Sequence, residues 1–241
     1  MEFYQFNQLL YACFEENALV HLLSDGKSLK LYGYANLLIE TNKQMNLTAI
    51  TDIEGIIFKH FADSAKLCDY ISDNKSVIDV GCGAGFPSLV LAILRPDLDV
   101  TALDSTAKKT VFITKCAKKL NVSNIKTVAA RAEEFAQSHR ECFDYATSRA
   151  VARLNILCEL CIPLVKVGGS FVPLKASKAQ EEINEAKNGI KALGASLSKS
   201  NEYILTNNGE SLERCIFEIS KHAPTDKKFP RMYSQILKKP L

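Results

Sequence analysis

The chain has 241 residues, a hydrophobic fraction of 47% and a net charge of only +3, values that suit one large domain, or one with an added subdomain, and exclude general disorder. No apolar run reaches the length of a membrane span. The acidic, aromatic start Met1-Glu2-Phe3-Tyr4-Gln5-Phe6 lacks the basic region and cleavage site of a secretory signal, so a cytoplasmic location is expected.

Residues 3–23 carry Phe6, Leu9, Leu10 and Cys13 at helical spacing, and Ser24-Asp25-Gly26 is expected to break them. Leu29 to Ile39 resumes an amphipathic pattern, Asn42 to Thr51 reads as a polar connection, and Ile53 to Ile71 as a further helix. A helical extension is thus expected over 1–73. From Lys75 the texture changes. Strands are expected at 76–80, 99–103, 125–129, 143–147 and 169–174, with helices at 86–94, 106–120, 131–137 and 152–162 between them. A helix near 178–192 and two late strands near 195–205 and 213–220 follow. Such alternation implies an α/β fold with a mostly parallel sheet covered on both faces and an antiparallel finish, over 74–222. Residues 223–241 form a basic tail.

Eight cysteines in a chain of this kind are expected as reduced thiols, with Cys13, Cys68, Cys116, Cys142 and Cys215 in apolar settings. Cys158 and Cys161 form a C-x-x-C within the apolar run Ile156 to Val165. With no second pair, they read as buried helix cysteines rather than metal ligands or a redox couple. No metal site is expected. Positive charge gathers at Lys108-Lys109, Lys115, Lys118-Lys119, Lys175-Lys178 and the tail.

The chemistry centres on Val77-Ile78-Asp79-Val80-Gly81-Cys82-Gly83-Ala84-Gly85-Phe86-Pro87, a strand, a glycine turn and the start of a helix. A dinucleotide fingerprint would place its third glycine at 86, where Phe86 stands, and no G-K-[ST] of a P-loop follows. The pattern G-x-G-x-G, with Gly81, Gly83 and Gly85, resembles the first motif of class I S-adenosylmethionine methyltransferases. In a doubly wound sheet ligands bind at the carboxyl ends of strands. The second strand ends in Asp104, nineteen residues after Gly85, where an acid can accept ribose hydroxyls; a helix N-cap is the compatible alternative. The third strand leads to Arg131-Ala132-Glu133-Glu134, where Glu133 or a neighbouring N–H suits an adenine edge. Glu134 reads as a first-turn acid. The fourth leads to Ser148-Arg149-Ala150-Val151-Ala152-Arg153, with Arg149 placed to pair a carboxylate or phosphate. Asp79, in a buried strand, needs a partner, and the glycine loop or a cofactor amine is expected to supply it. His60 and Asp63 share a helix face, suited to a surface hydrogen bond or to contact with the glycine loop. In the tail, Lys227, Lys228, Arg231 and Lys238 interleave with Phe229 and Tyr233, a composition that suits RNA as well as a solvated terminus.

The segments Asn42 to Thr51, Lys59 to Ser64, Asp79 to Pro87, Leu103-Asp104-Ser105, Arg131 to Glu134, Ser148-Arg149-Ala150 and Phe229-Pro230-Arg231 fall in order along nearly the whole chain. Together they resemble the bacterial small-subunit ribosomal RNA methyltransferase G family, also called glucose-inhibited division protein B. The resemblance implies a class I Rossmann-like methyltransferase using S-adenosylmethionine to methylate guanine N7 in 16S rRNA near the decoding centre. It implies cofactor contacts at Gly81, Phe86, Ala132, Glu133 and Arg149, and an acceptor of 16S rRNA or the small ribosomal subunit. Because N7 offers a free lone pair, no essential general base is expected, and Arg149 and Arg153 are the candidates for positioning the guanine. The chain departs from the family's pattern at Ser88, where a glycine is usual, and at Ser234 and Ile236, where a glycine and a proline are usual. A methyltransferase acting on a small molecule or protein, and a non-catalytic RNA-binding module, are the rival readings.

Overall fold

A computed structural model describes residues 1–176 and 178–241. Helices α1 (Phe3–Glu16) and α2 (Asp25–Met45) are joined by a 3-10 turn, Val20–Leu22. Ser24 breaks the first helical stretch as expected, as the extended N-cap of α2, and Asp25 already lies in the first turn of that helix. The helix also runs past Ile39 into the expected polar connection and stops at Asn46, whose φ of 47° is left-handed. Asn42 then secures the next segment by exchanging two hydrogen bonds with the Thr48 backbone, at 2.8 and 2.9 Å.

The third helical stretch is composite: α3 (Ile53–Gly55), a π-helix (Ile56–Ala62), α4 (Asp63–Ala65) and a 3-10 segment (Lys66–Tyr70). A wide π turn shifts the backbone register and frees carbonyls from their usual partners, and such turns concentrate at functional sites.

The alternating region follows as β1 (Ser76–Val80), α5 (Ser88–Leu94), β2 (Asp99–Asp104), α6 (Ala107–Lys119), β3 (Ile125–Ala129), α7 (Ala132–Ser138), β4 (Phe143–Thr147), α8 (Leu154–Cys161), β5 (Val165–Phe171), β6 (Leu174–Lys175), α9 (Ala179–Ala192), β7 (Ala195–Asn207), β8 (Glu210–Lys221) and α10 (Tyr233–Lys238). The sheet runs β3-β2-β1-β4-β5-β8-β6, with β7 paired to β8. β1 pairs in parallel with β2 (Val80 opposite Leu103) and with β4 (Ile78 opposite Ala146). β8 is antiparallel to β5, β6 and β7. The order reverses at β1, so the carboxyl ends of β1 and β4 open a crevice. Among the described residues no helix is long and apolar enough to cross a membrane.

Two apolar clusters cover the sheet. One joins Phe6, Tyr34 and Phe61 of the N-terminal helices to Leu89, Val100 and Ile113. The other gathers Phe143, Leu157, Ile183 and Phe217 with Phe229 and Ile236 of the tail. Cys158 and Cys161 are fully buried, whereas Cys142 is exposed rather than apolar in setting.

The tail differs most from expectation. Phe229 and Ile236 are buried, and Arg231 grips the fully buried Glu159 of α8 with its Nε at 2.8 Å and Nη2 at 2.5 Å, while its backbone N–H donates at 2.9 Å. Arg231 is therefore an anchor that neutralises a buried acid. This corrects its reading as a phosphate contact, because its fork is occupied within the chain. Lys227, Lys228 and Lys238 remain exposed. Arg231→Ala, which strands Glu159, is expected to cost about 3–5 kcal/mol in urea unfolding, and Arg231→Met with Glu159→Leu to recover most of it. Equal loss in both variants would remove the ion pair as the cause.

Candidate functional site

β1 ends in a turn held by Gly81 and Cys82, whose N–H groups both donate to the Leu103 carbonyl, at 2.8 and 3.0 Å. Gly81 has φ of +78°, and a Cβ there would lie 2.4 Å from Val151 Cγ2, so only glycine lets the loop after β4 close over the turn. Gly83 has φ of +56° and faces open space, leaving its backbone accessible to a ligand. Its N–H donates to Asp104 Oδ2 at 3.0 Å, while Asp104 Oδ1 accepts from Thr106 N at 2.8 Å. One carboxylate at the end of β2 thus organises both the glycine loop and the start of α6. Each of its oxygens keeps capacity for a further donor.

A cavity of about 450 Å³ lies over this loop, bounded by Gly81, Cys82, Gly83, Ala84, Phe86, Asp104, Lys109, His60 and Arg149–Val151. A slot of about 150 Å³ adjoins it through Gly81, Asp104 and Ser105, and is lined by Leu103, Ala132, Glu133, Leu160 and Tyr233. Asp104 stands where the two meet. A third cavity of about 630 Å³ shares His60, Arg149, Ala150 and Val151 with the first, and adds Lys59, Asp63, Arg153, Lys175 and Arg214.

Gly81, Gly83, Phe86, Asp104, Ala132, Glu133 and Arg149 therefore line the crevice as expected from the sequence. Asp79 and Gly85 do not. Gly85 turns inward toward the Tyr34 hydroxyl. Asp79 is fully buried beneath the loop, where Oδ2 accepts from Ser88 N at 3.1 Å and Oδ1 has no partner. Its partner is the first N–H of α5, not the glycine loop or a ligand, because this strand residue faces the helix. Ser88, in place of the usual glycine, is buried with its hydroxyl unpartnered. Burial pushes the Asp79 carboxyl up to about 7, against the Ser88 hydrogen bond and the Arg149 charge, which favour the ionised form.

Sequence reasoning missed the packing behind Phe86. Its ring stacks on His60, centroids 4.2 Å apart, and meets Tyr34 in a tilted pair at 5.3 Å, and the Tyr34 hydroxyl donates to the Ala84 carbonyl at 2.6 Å. The Arg149 guanidinium lies 5.2 Å from the Phe86 ring. It donates to Asp63 Oδ2 at 3.0 Å, to the π-helical Lys59 carbonyl at 2.9 Å and to His60 Nδ1 at 3.0 Å. Because a guanidinium only donates, Nδ1 must accept, and the Nε2 hydrogen points to Thr48 Oγ1 at 2.8 Å. Burial, then the Arg149 charge, lowers the His60 pKa to about 3, so the imidazole is neutral. His60 and Asp63 are thus buried rather than joined by a surface hydrogen bond: His60 contacts the glycine loop through Phe86, and Asp63 pairs with arginines. Asp63 Oδ1 accepts from Arg214 Nε at 3.1 Å, which brings β8 to the site.

The loop after β4 is fastened from several sides. The Ser148 hydroxyl donates to the Val80 carbonyl at 2.8 Å, and Lys175 Nζ to the Ala152 carbonyl at 2.8 Å. Arg153 pairs with Glu181 and Glu185 of α9 at 2.9 and 2.7 Å, leaving it half exposed at the rim of the third cavity.

The sequence profile of rRNA small subunit methyltransferase G, GidB, matches residues 27–214. The chain belongs to this family. Ribosomal RNA small subunit methyltransferase G of Staphylococcus carnosus is 43% identical over 224 residues, covering 91% of this chain and 92% of the relative. The enzyme of that name from Clostridium perfringens is 44% identical over 222 residues, covering 90% and 92%. The fold is also that of M. jannaschii TYW2 in complex with AdoMet (TM-score 0.55, 14% identity, 67% of this chain and 75% of that one). Precorrin-6y C5,15-methyltransferase from Geobacter metallireducens is likewise similar (TM-score 0.52, 18% identity, 66% and 87%). The methyltransferase G chain is an S-adenosylmethionine-dependent enzyme, and its crevice fits that cofactor: an open glycine backbone, a buried acid at the end of β2 and an apolar slot beside it.

Gly83→Val or Asp104→Ala should weaken cofactor binding at least about tenfold by calorimetry; unchanged affinity would remove both from the site. Without cofactor, the urea midpoint of Asp79→Asn relative to wild type should rise from about pH 5 to about pH 8. The raised Asp79 pKa makes ionisation within the fold a penalty that grows through this window, and asparagine escapes it. A pH-independent difference would refute that assignment.

Proposed function

We propose that this methyltransferase acts on 16S ribosomal RNA, at guanine N7 in a loop near the decoding centre, with the RNA or the small subunit as acceptor and the cytoplasm as its place of work. The observation that carries the reading is the meeting of two cavities at Ala150 and Val151, one over the glycine loop and one rich in Lys59, Arg149, Arg153, Lys175 and Arg214. A donor site and a cationic acceptor site thus share one wall. The names of the relatives supply the RNA.

When bound, S-adenosylmethionine supplies a methyl group already activated on a sulfonium. Asp104 would accept the ribose hydroxyls, Leu103, Leu160 and Ala132 would enclose the adenine, and Glu133 would meet its polar edge. Guanine N7 carries a lone pair that needs no deprotonation. The residues around it therefore have to place rather than ionise: Arg149, held rigid by Asp63, His60 and the Lys59 carbonyl, shapes the wall beside the guanine, and Arg153 reaches the nucleotide by exchanging its rim pairs with Glu181 and Glu185 for a phosphate. His60, with both ring nitrogens engaged and its pKa far below neutral, has no proton to accept from the substrate.

Primer extension after N7-specific cleavage should stop at one guanine of small subunits treated with enzyme and cofactor, and not in their absence; a different acceptor would be exposed by tritium transfer to another fraction. In the same assay kcat should vary less than about twofold between about pH 6 and about pH 9. A tenfold change per pH unit would reveal an essential base.

A further inference from the structure

Helix α6 holds Lys108, Lys109, Lys115, Lys118 and Lys119, and no acid, within thirteen residues. Since the whole chain carries only +3, the remainder is net negative, so the positive charge is concentrated here. Lys109 reaches Asp104 at 3.8 Å; among the described residues the other four lie within ion-pair distance of no carboxylate. A helix face that is merely solvated intersperses both signs, and Lys115 and Lys119, four apart, repel each other.

Three of these lysines, 108, 115 and 119, line a groove of about 680 Å³ between α6 and α2. They are offset along the axis by about 10 and 6 Å at the helical rise. The wall from α2 is mixed, with Leu37 and Met45 beside Thr41, Gln44 and a single acid, Glu40, and Val111 of α6 is 49% exposed, so three cations face one carboxylate across the groove. The groove and the donor cavity are neighbours along the same two elements. Thr106 and Lys109, at the start of α6, line the donor cavity, and so do Leu47 and Thr48 just after α2.

We propose that this groove carries the sugar-phosphate backbone flanking the target nucleotide, so that α6 is the track along which substrate RNA reaches the crevice. The inference rests on the reading that the acceptor is RNA. Ammonium groups along a line suit a polymer with one negative charge per unit, and touch it without reading sequence. A recessed groove with both apolar and hydrogen-bonding side chains between its lysines suits ribose and base faces better than the flat headgroup layer of a membrane.

The test is Lys108→Ala/Lys115→Ala/Lys119→Ala against wild type, on a 16S rRNA transcript. The slope of log affinity against log salt should fall by about 2–3, at about 0.7–0.9 for each phosphate that is no longer neutralised. KM for the RNA should rise about tenfold or more at physiological salt with kcat retained, and arginine at the same three positions should restore both. Cofactor affinity by calorimetry should match wild type, which reports an intact fold and donor site. An unchanged slope, or loss of binding to phosphatidylglycerol vesicles in place of RNA, would overturn the proposal. If wild type transfers no methyl group to RNA, the acceptor reading fails, while the salt slope still decides the groove.

Discussion

Arg149 is the tie on which the site depends. It leaves β4 beside the crevice, and its guanidinium is held by Asp63, by the Lys59 carbonyl and by His60, all from the helical extension. His60 in turn stacks on Phe86 of the glycine loop. The helical extension, the glycine loop and the loop after β4 are thereby one polar and aromatic assembly. The π turn over Ile56–Ala62 contributes directly, because it lets the Lys59 carbonyl accept from a side chain.

Such an assembly is costly to bury and is kept for what it specifies. Asp63 offers one oxygen to Arg149 and the other to Arg214, so the carboxylate stays fully paired at 4% exposure. If it were removed, two guanidinium groups would face each other across the larger cavity. Burial and the Arg149 charge drive the His60 pKa down rather than up, so the imidazole beside the two guanidinium groups adds no further charge. The geometry is discrete: Nη1 of Arg149 serves both the Lys59 carbonyl and Asp63, Nη2 serves His60, and the loop between the cavities has little freedom to drift.

The sheet was legible because its signals are local. Apolar runs closed by Gly81, Asp104, Ala130 and Ser148 mark strand ends, and the observed β1 to β4 agree with them to within a residue. The class of ligand was legible from the absence of a glycine at Phe86. What escaped joins residues far apart in the chain: Arg149 to Asp63 across 86 positions, and Arg231 to Glu159 across 72. A trace existed in each case. Glu159 is the lone acid in the apolar run of α8, and a carboxylate there demands a cation from elsewhere. Asp79 carried the same demand, but its partner is a backbone N–H, which leaves no mark in a sequence.

Tyr233, on the helix that Arg231 anchors, forms one wall of the slot beside Asp104. That wall is supplied from far downstream of the glycine loop, and it stands where it does because Arg231 and Glu159 hold the segment before it against α8. Enclosure of the slot and integrity of the sheet are therefore separable properties: loosening this one anchor would open the space beside Asp104 and leave β1, β2 and the glycine turn in place.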